Sequence, residues 1–182
     1  MAFKLLLAVS ALALQTGCST VAVERLEGAL AARDSATAAL RDWCEWRGIA
    51  APARIVAEPV RGEDALRPAS LEADLDLAPG EPVGYRHVRL SCGGSVLSEA
   101  HNWYVPARLT PEMNRLLAES DTPFGTVATP LAYRRERLES ARGQGPGCPA
   151  GTVLTHRARL VLPDGKPLAL LVECYTLANL KP

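Results

Sequence analysis

Residues 85–105 have the sequence YRHVRLSCGGSVLSEAHNWYV. Residues 85–92 alternate in the way a half-buried strand does, so their side chains divide between two faces. The even-numbered positions from Arg86 to Cys92 share one face, and the odd-numbered positions from Tyr85 to Ser91 share the other. Gly93-Gly94 is typical of a hairpin turn, and residues 96–105 form the returning strand. This stretch therefore predicts an antiparallel hairpin.

A second hairpin is predicted near the carboxyl end of the chain. Residues 153–162 and 168–175 are strand-like, and Pro163-Asp164-Gly165-Lys166 supplies a turn between them. Residues 168–172 are apolar on both faces, which is typical of a central strand. Helix starts are predicted after Asp34-Ser35 and at Thr110-Pro111-Glu112, from their capping residues and the proline. Two hairpins with a few helices predict an α+β fold built on an antiparallel sheet.

Length and composition narrow the class of protein. The chain has 182 residues, which is typical of one domain, and 48% of them are apolar, enough for a core. The formal net charge is zero and aromatic residues make up 5%, so neither phosphate neutralisation nor base stacking is favoured. We expect no nucleic-acid partner, and we expect a monomer.

The amino terminus has the pattern of an export signal. One lysine, Lys4, precedes an apolar run over residues 5–14, which is too short to span a bilayer. Gln15-Thr16-Gly17-Cys18 resembles the bacterial lipobox, with Gln15 where a leucine is usual. That resemblance implies cleavage before Cys18 and attachment of a lipid to its thiol.

The signal implies a domain plan and a location. Residues 1–17 are predicted to be a signal peptide, 18–33 a tether or helical spacer, and 34–182 the folded domain. A lipid-anchored protein of this kind faces the periplasm of the bacterial cell envelope. Ser19, which is not Asp, favours sorting to the outer membrane.

Four further cysteines can form disulfides in an oxidising periplasm. They are Cys44, Cys92, Cys148 and Cys174. Three pairings are open, and so is the alternative that all four are buried free thiols. No CxxC pair occurs, and the histidines lack metal-ligand spacing in the sequence; they are His87, His101 and His156. We therefore predict no metal site and no cofactor.

Two charged residues lie in apolar surroundings. Glu173 follows five apolar residues on the predicted central strand, so it needs a cation or hydrogen bonds. It is either the structural partner of Arg157 or Arg159 on the neighbouring strand, or a pocket carboxylate that meets a ligand hydroxyl. Arg86 shares its face with apolar residues and needs an anion, either an acidic side chain or a ligand carboxylate. A basic run is expected to form a solvated surface or, alternatively, to contact anionic lipid; it consists of Arg134, Arg135, Arg137 and Arg142.

The order of these segments resembles the chorismate lyase family, and more distantly the ligand-sensing domains of certain bacterial repressors. The resemblance covers roughly residues 35–180. It is carried by residues 85–90, Gly93-Gly94, Tyr104-Val105-Pro106, Thr122-Pro123-Phe124-Gly125, Gly165-Lys166-Pro167-Leu168 and Glu173.

The resemblance implies a six-stranded antiparallel sheet with helices over one side, and a ligand enclosed beneath flap-like segments. Family members convert chorismate to 4-hydroxybenzoate and pyruvate without a cofactor. Arg86 falls at the carboxylate-binding position and Glu173 at the hydroxyl-facing position, which would make them the catalytic pair. Phe124, next to Gly125, falls where a backbone amide meets the ligand. Asn102 stands in place of a second arginine, and His101 in place of a glycine.

Three functional hypotheses follow. The first is an envelope lipoprotein that binds a small aromatic or carboxylate ligand through Arg86 and Glu173, with Asn102, Phe124 and Gly125 beside them. The second is an active chorismate lyase that releases pyruvate. The third is an envelope interaction protein whose pocket is filled by its own side chains. Fold alone does not decide among them.

Overall fold

The computed structural model describes residues 20–62 and 67–181. The helices are α1 (20–31), α2 (Ala36–Trp46), α3 (Leu71–Asp74), α4 (Pro111–Glu119) and α5 (Phe124–Val127). The strands are β1 (Ile55–Pro59), β2 (Gly84–Cys92), β3 (Ser95–Tyr104), β4 (Arg134–Arg142), β5 (Thr152–Val161) and β6 (Pro167–Thr176). The predicted signal and Cys18 lie outside the described residues. Among the helices described, none has both the length and the apolar character needed to cross a bilayer.

The six strands form one antiparallel sheet in the order β1-β2-β3-β6-β5-β4. This confirms the predicted fold class, and both predicted hairpins are present as β2–β3 and β5–β6. A bulge shifts the β2–β3 register, so that Ser91 pairs with Val96 but Leu90 pairs with Ser98. Leu97 is the extra residue on β3, and its insertion decides which β3 side chains share a face with which β2 side chains.

One side of the sheet, which we call the helix face, carries Val88, Ala100 and Glu173 and is covered by helices. Leucines of α1 and the stripe of α2 pack against it in one apolar cluster. A disulfide between Cys44 and Cys92 ties α2 to β2. The predicted helix starts are confirmed, because Ser35 accepts the Ala38 amide at 3.2 Å in α2 and a threonine caps α4 in the same way.

The other side, which we call the loop face, carries His87, His101 and Val172 and is covered by α3 and the loop 143–151. Its apolar cluster is smaller than that of the helix face and includes Leu71 of α3, Leu75 directly after that helix, and Trp103. A disulfide between Cys148 and Cys174 ties the loop to the central strand β6. The structure thus selects one of the three cysteine pairings that the sequence leaves open.

Two segments that the sequence leaves ambiguous take definite structures. Residues 126–139 contain a 3-10 turn, Thr129–Leu131, and then enter the edge strand β4. In the segment 18–33, residues 20–31 are helical and bury Val23, Leu26 and Leu30 in the core of the domain. The part of that segment that is described is therefore packed on the domain.

Candidate functional site

Glu173 lies in a closed network on the helix face. Its carboxylate accepts a hydrogen bond from the Arg135 guanidinium of β4, and both side chains are about 95% buried, with 5% and 4% exposed. The Tyr175 hydroxyl donates to the same carboxylate oxygen at 3.0 Å. The Arg135 Nη2 atom also lies 3.2 Å from Nδ1 of His156. Glu173 is therefore a buried, paired carboxylate in a network whose members come from the three strands β4, β5 and β6.

The partner of Glu173 corrects two predictions. One alternative from the sequence pairs Glu173 with Arg157 or Arg159, but in the β5–β6 register His156 lies opposite Glu173. Because side chains alternate along a strand, Arg157 and Arg159 point to the loop face, where they bind Asp74 and Glu136 respectively. The actual partner, Arg135, belongs to the run that was expected to be wholly solvated.

The network shifts the pKa values of its members. Burial lowers the pKa of Arg135, but the carboxylate of Glu173 outweighs burial and leaves the pKa above its ordinary value. Burial lowers the pKa of His156 to about 4, despite the opposing effect of Glu173. Burial and the same carboxylate raise the pKa of Tyr175 well above its ordinary value. At neutral pH the network therefore holds one ion pair, a neutral imidazole and a neutral phenol.

Four of the five predicted ligand-binding residues line one small cavity of about 40 Å³ on the helix face. They are Asn102, Phe124, Gly125 and Glu173. An apolar cavity of roughly 150 Å³ is needed to hold benzene, so the cavity does not accommodate an aromatic ring. Gly125 is also closely packed, because a Cβ atom there would lie 2.7 Å from the Ser35 hydroxyl. In this structure these residues form part of the core.

Arg86, the fifth predicted residue, does not line that cavity. It is half-buried, and its Nη1 atom donates to the Thr122 carbonyl at 3.4 Å. Within the described residues it has no carboxylate partner. Burial lowers the pKa of Arg86, as expected for a guanidinium that lacks a compensating anion. The structure does not bring Arg86 and Glu173 together around one void.

The larger cavity lies on the loop face and has a volume of about 630 Å³. Its floor is formed by side chains of β2, β3 and β6, including His87, His101, Trp103 and Val172. Its wall is formed by the loop 143–151, which the disulfide of Cys148 anchors. Small-molecule sites typically have volumes of ~300–1,000 Å³ and mainly apolar linings, so this cavity has the size and character of a binding pocket. We call it the loop-face pocket.

Four rings form a row beneath the loop-face pocket. Tyr85 lies 5.3 Å from Trp103 and is nearly parallel to His101, at 6.3 Å between ring centroids. His87 and His101 are closer, at 4.1 Å. The row follows from the register, which pairs Tyr85 with Trp103 and His87 with His101 across the hairpin. With their centroids 4.1 Å apart, the His87 and His101 rings stack on each other, so they present ring edges to the pocket, and an aromatic ligand can meet these edges in an edge-to-face contact.

A cluster of three metal-ligating residues lies in the same pocket. His87, Glu99 and His101 each offer one donor atom, and these atoms all lie within 4.8 Å of one another. The three residues are buried and line the pocket. From their spacing in the sequence the histidines were not expected to form a set of metal ligands, but the fold brings two of them together with Glu99. The three residues are brought together by the cross-strand register, which depends on the bulge at Leu97.

Comparison with known proteins identifies a relative and a fold. No family model matches the chain. The chain is 39% identical to the uncharacterized protein y4mC of Sinorhizobium fredii strain NBRC 101917 / NGR234, covering 85% of this chain and 73% of that protein. At this identity and coverage the two sequences share a family.

Solved structures with a similar fold include the effector domain of PhnF from Mycobacterium smegmatis. It has a TM-score of 0.55 at 15% identity, covering 79% of this chain and 89% of that domain. Full-length PhnF has a TM-score of 0.57 at 14% identity, covering 82% of this chain and 66% of that protein. YydK of Bacillus subtilis, described as a possible transcriptional regulator, has a TM-score of 0.48 at 15% identity, covering 69% of this chain and 60% of that protein. The chain thus has the chorismate lyase-like fold, as the PhnF effector domain does, and covers 66% of full-length PhnF.

Proposed function

This chain belongs to one family with the y4mC protein of Sinorhizobium fredii, and we propose that its domain binds a small aromatic molecule in the loop-face pocket. The observation that carries the proposal is the cavity of about 630 Å³, which is lined by the aromatic rings of His87, His101 and Trp103. The fold supports it, since the PhnF domain of the same architecture is an effector domain. An aromatic ligand would pack against Trp103 and His101 beneath the loop 143–151.

Ligand recognition in this pocket would combine aromatic packing with a few polar groups. Thr155 lies in the lining, and the Arg157 guanidinium is held at the edge by Asp74 and Glu139. Because both acidic partners already neutralise Arg157, it is not a free anchor for a ligand carboxylate. The disulfide between the loop and β6 reduces the freedom of the pocket wall before a ligand arrives, which lowers the entropic cost of binding.

The test is a calorimetric titration of the full chain with 4-hydroxybenzoate and related aromatic acids. Ala141 is exposed and lines the loop-face pocket, so Ala141→Trp would fill the pocket without disturbing the core. We expect at least ~10-fold weaker binding, equivalent to about 1.4 kcal/mol. Leu138→Trp is the matched control, because Leu138 is exposed on the same strand but does not line the pocket. Equal binding by the wild type and Ala141→Trp would show that the ligand does not bind in the loop-face pocket.

The helix face provides the competing location. Arg86 is a half-buried cation without a carboxylate partner in the described part of the chain, so an anionic ligand could approach it. Loss of binding in Arg86→Ala, with normal binding in Ala141→Trp, would place the ligand there. No binding of any acid by the wild type would remove both locations. The lyase reaction needs chorismate to reach Glu173, where the cavity is about 40 Å³, and pyruvate release from chorismate tests it directly.

Export and lipidation at Cys18 form a separate proposal. It is supported by the pattern of residues 1–18 and by the pairing of the four other cysteines in two disulfides, which are typical of oxidising compartments. Fractionation of bacteria that produce the chain should place the wild type in the outer membrane, with a lipid mass on Cys18. Cys18→Ser should be released from the membrane, and an unmodified cysteine in the wild type would refute the proposal.

A further inference from the structure

We propose that His87, Glu99 and His101 bind one divalent transition-metal ion, expected to be Zn²⁺, on the floor of the loop-face pocket. The observation is that two imidazoles and one carboxylate meet at the wall of a cavity large enough for a further ligand. The metal site itself stands on these three residues. Only the role that we give the metal in ligand recognition rests on the function proposed above.

The donor atoms are already close to coordination distance. Zn²⁺ binds imidazole nitrogen and carboxylate oxygen at about 2.0–2.2 Å, so two ligands of one tetrahedral ion lie roughly 3.4 Å apart. The three donor atoms lie within 4.8 Å of one another, and His87 Nε2 is 2.8 Å from Glu99 Oε1. Side-chain shifts of about 1 Å would therefore complete the site. All three residues come from paired strands of the sheet, which hold their backbones in place.

The surroundings provide the outer-shell contacts that metal sites usually have. His101 Nε2 lies 3.1 Å from the Gly147 carbonyl, which can only accept, so this nitrogen carries the proton and Nδ1 has the lone pair. A metal at Nδ1 would replace the hydrogen bond that the Tyr85 hydroxyl makes there at 2.9 Å. Arg89 holds the other oxygen of Glu99 at 3.0 Å. Contacts of this kind orient the ligating groups.

A metal ion would also supply a charge that the pocket lacks. The charged side chains in the lining are two arginines and two glutamates, which sum to zero. They are Arg67, Arg157, Glu99 and Glu139. With two neutral imidazoles and one carboxylate, a divalent ion leaves a local charge of +1 and at least one open coordination position. We infer that this position takes the carboxylate or phenolate oxygen of the aromatic ligand.

The metal is tested first without any small molecule. The tag-free full chain, with disulfides intact and free thiols alkylated, is stripped with a chelator and titrated with Zn²⁺ against a chromogenic competitor. We expect one ion per chain. His101→Gln and Glu99→Gln should each weaken binding by at least ~100-fold, at or above the 10–100-fold lost when only an outer-shell partner is removed. His156→Gln is the matched control, because His156 is a buried histidine on the opposite face.

A second measurement locates the ion without relying on a ligand variant. Trp103 lies 6.1 Å from His101, so Co²⁺ bound at the site should quench its fluorescence. The quenched component should disappear in Trp103→Phe, since the other two tryptophans belong to α2 on the helix face. Absorption of the bound Co²⁺ in the visible range reports its geometry.

The possible outcomes distinguish failure of the metal site from failure of the proposed ligand binding. Absence of a stoichiometric ion in the wild type, or equal affinity in His101→Gln, would overturn the metal site and leave a hydrogen-bonded cluster in its place. Calorimetry with aromatic acids is then repeated with and without Zn²⁺. Binding that is unchanged by a chelator would keep the pocket and reject the metal as the recognition group. Metal binding without any ligand binding would reject the proposed function alone.

Discussion

Replacing Glu173 by glutamine should destabilise the domain strongly, because it leaves a buried guanidinium without its counter-ion. Both side chains of the Arg135–Glu173 pair are about 95% buried. Breaking a buried pair by removing one partner costs about 3–5 kcal/mol. For a domain of this size each kcal/mol lowers the melting temperature by about 2–4 °C, so Glu173→Gln should lower it by roughly 6–20 °C.

The assay is urea unfolding at pH 7 with the disulfides intact, followed by circular dichroism. Glu112→Gln is the control, since the pair of Glu112 with Arg115 is exposed to solvent and such pairs contribute little to stability. Replacing both partners, as in Arg135→Met with Glu173→Leu, should recover most of the stability, because no charge is then left unpaired. A loss no greater than that of Glu112→Gln would refute the reasoning and show that the carboxylate is accessible to solvent or ligand.

Two further predictions concern the helix face. Because burial lowers the pKa of His156 to about 4 from its ordinary 6.5, the unfolded chain takes up a proton on this residue at a higher pH than the folded chain. The contribution of His156 to stability is therefore complete above pH 6.5 and decreases by about 3 kcal/mol towards pH 4. The urea midpoint, measured from pH 4 to 7.5, should decrease more steeply with falling pH for the wild type than for His156→Gln. Parallel pH curves for the two proteins would contradict this prediction. Gly125→Ala should lower the free energy of unfolding by about 1–3 kcal/mol, because the new Cβ would displace the Ser35 side chain that caps α2. A melting temperature equal to that of the wild type would show that the packing around Gly125 is looser than described.

The hairpins could be predicted because their signals are local. The strand at residues 85–92, the Gly93-Gly94 turn and the central strand before Glu173 each depend on neighbouring residues, and the structure confirms all three. The half-buried character expected of residues 85–92 is wrong, because β2 is covered on both faces. The burial of Arg135 could not be predicted in this way. Its strand β4 is otherwise exposed, and its guanidinium is buried because it reaches a carboxylate two strands away.

The metal-ligand cluster was missed because it depends on one inserted residue. The turn pairs Cys92 with Ser95, and a regular continuation would pair His87 with Ala100. His101 would then point to the helix face, away from His87. The bulge at Leu97 moves the register by one residue and pairs the two histidines. A bulge of this kind leaves no distinct signal in a single sequence, so the faces of β3 relative to β2 could not be assigned from the sequence.

The residues identified by the resemblance and the residues that form the larger pocket lie on opposite faces of the sheet. Glu173, Phe124 and Gly125 were selected from the sequence because of the resemblance, yet here Glu173 is paired with Arg135, Phe124 is packed in the core and Gly125 lies against the start of α2. The volume, the row of rings and the donor atoms lie on the loop face, around His101 and Trp103. Since neighbouring residues on one strand point to opposite faces, His101 can serve a site while Asn102 serves the core. The fold therefore fixes the sheet but not the side on which a ligand binds, and a search for ligands should begin on the loop face.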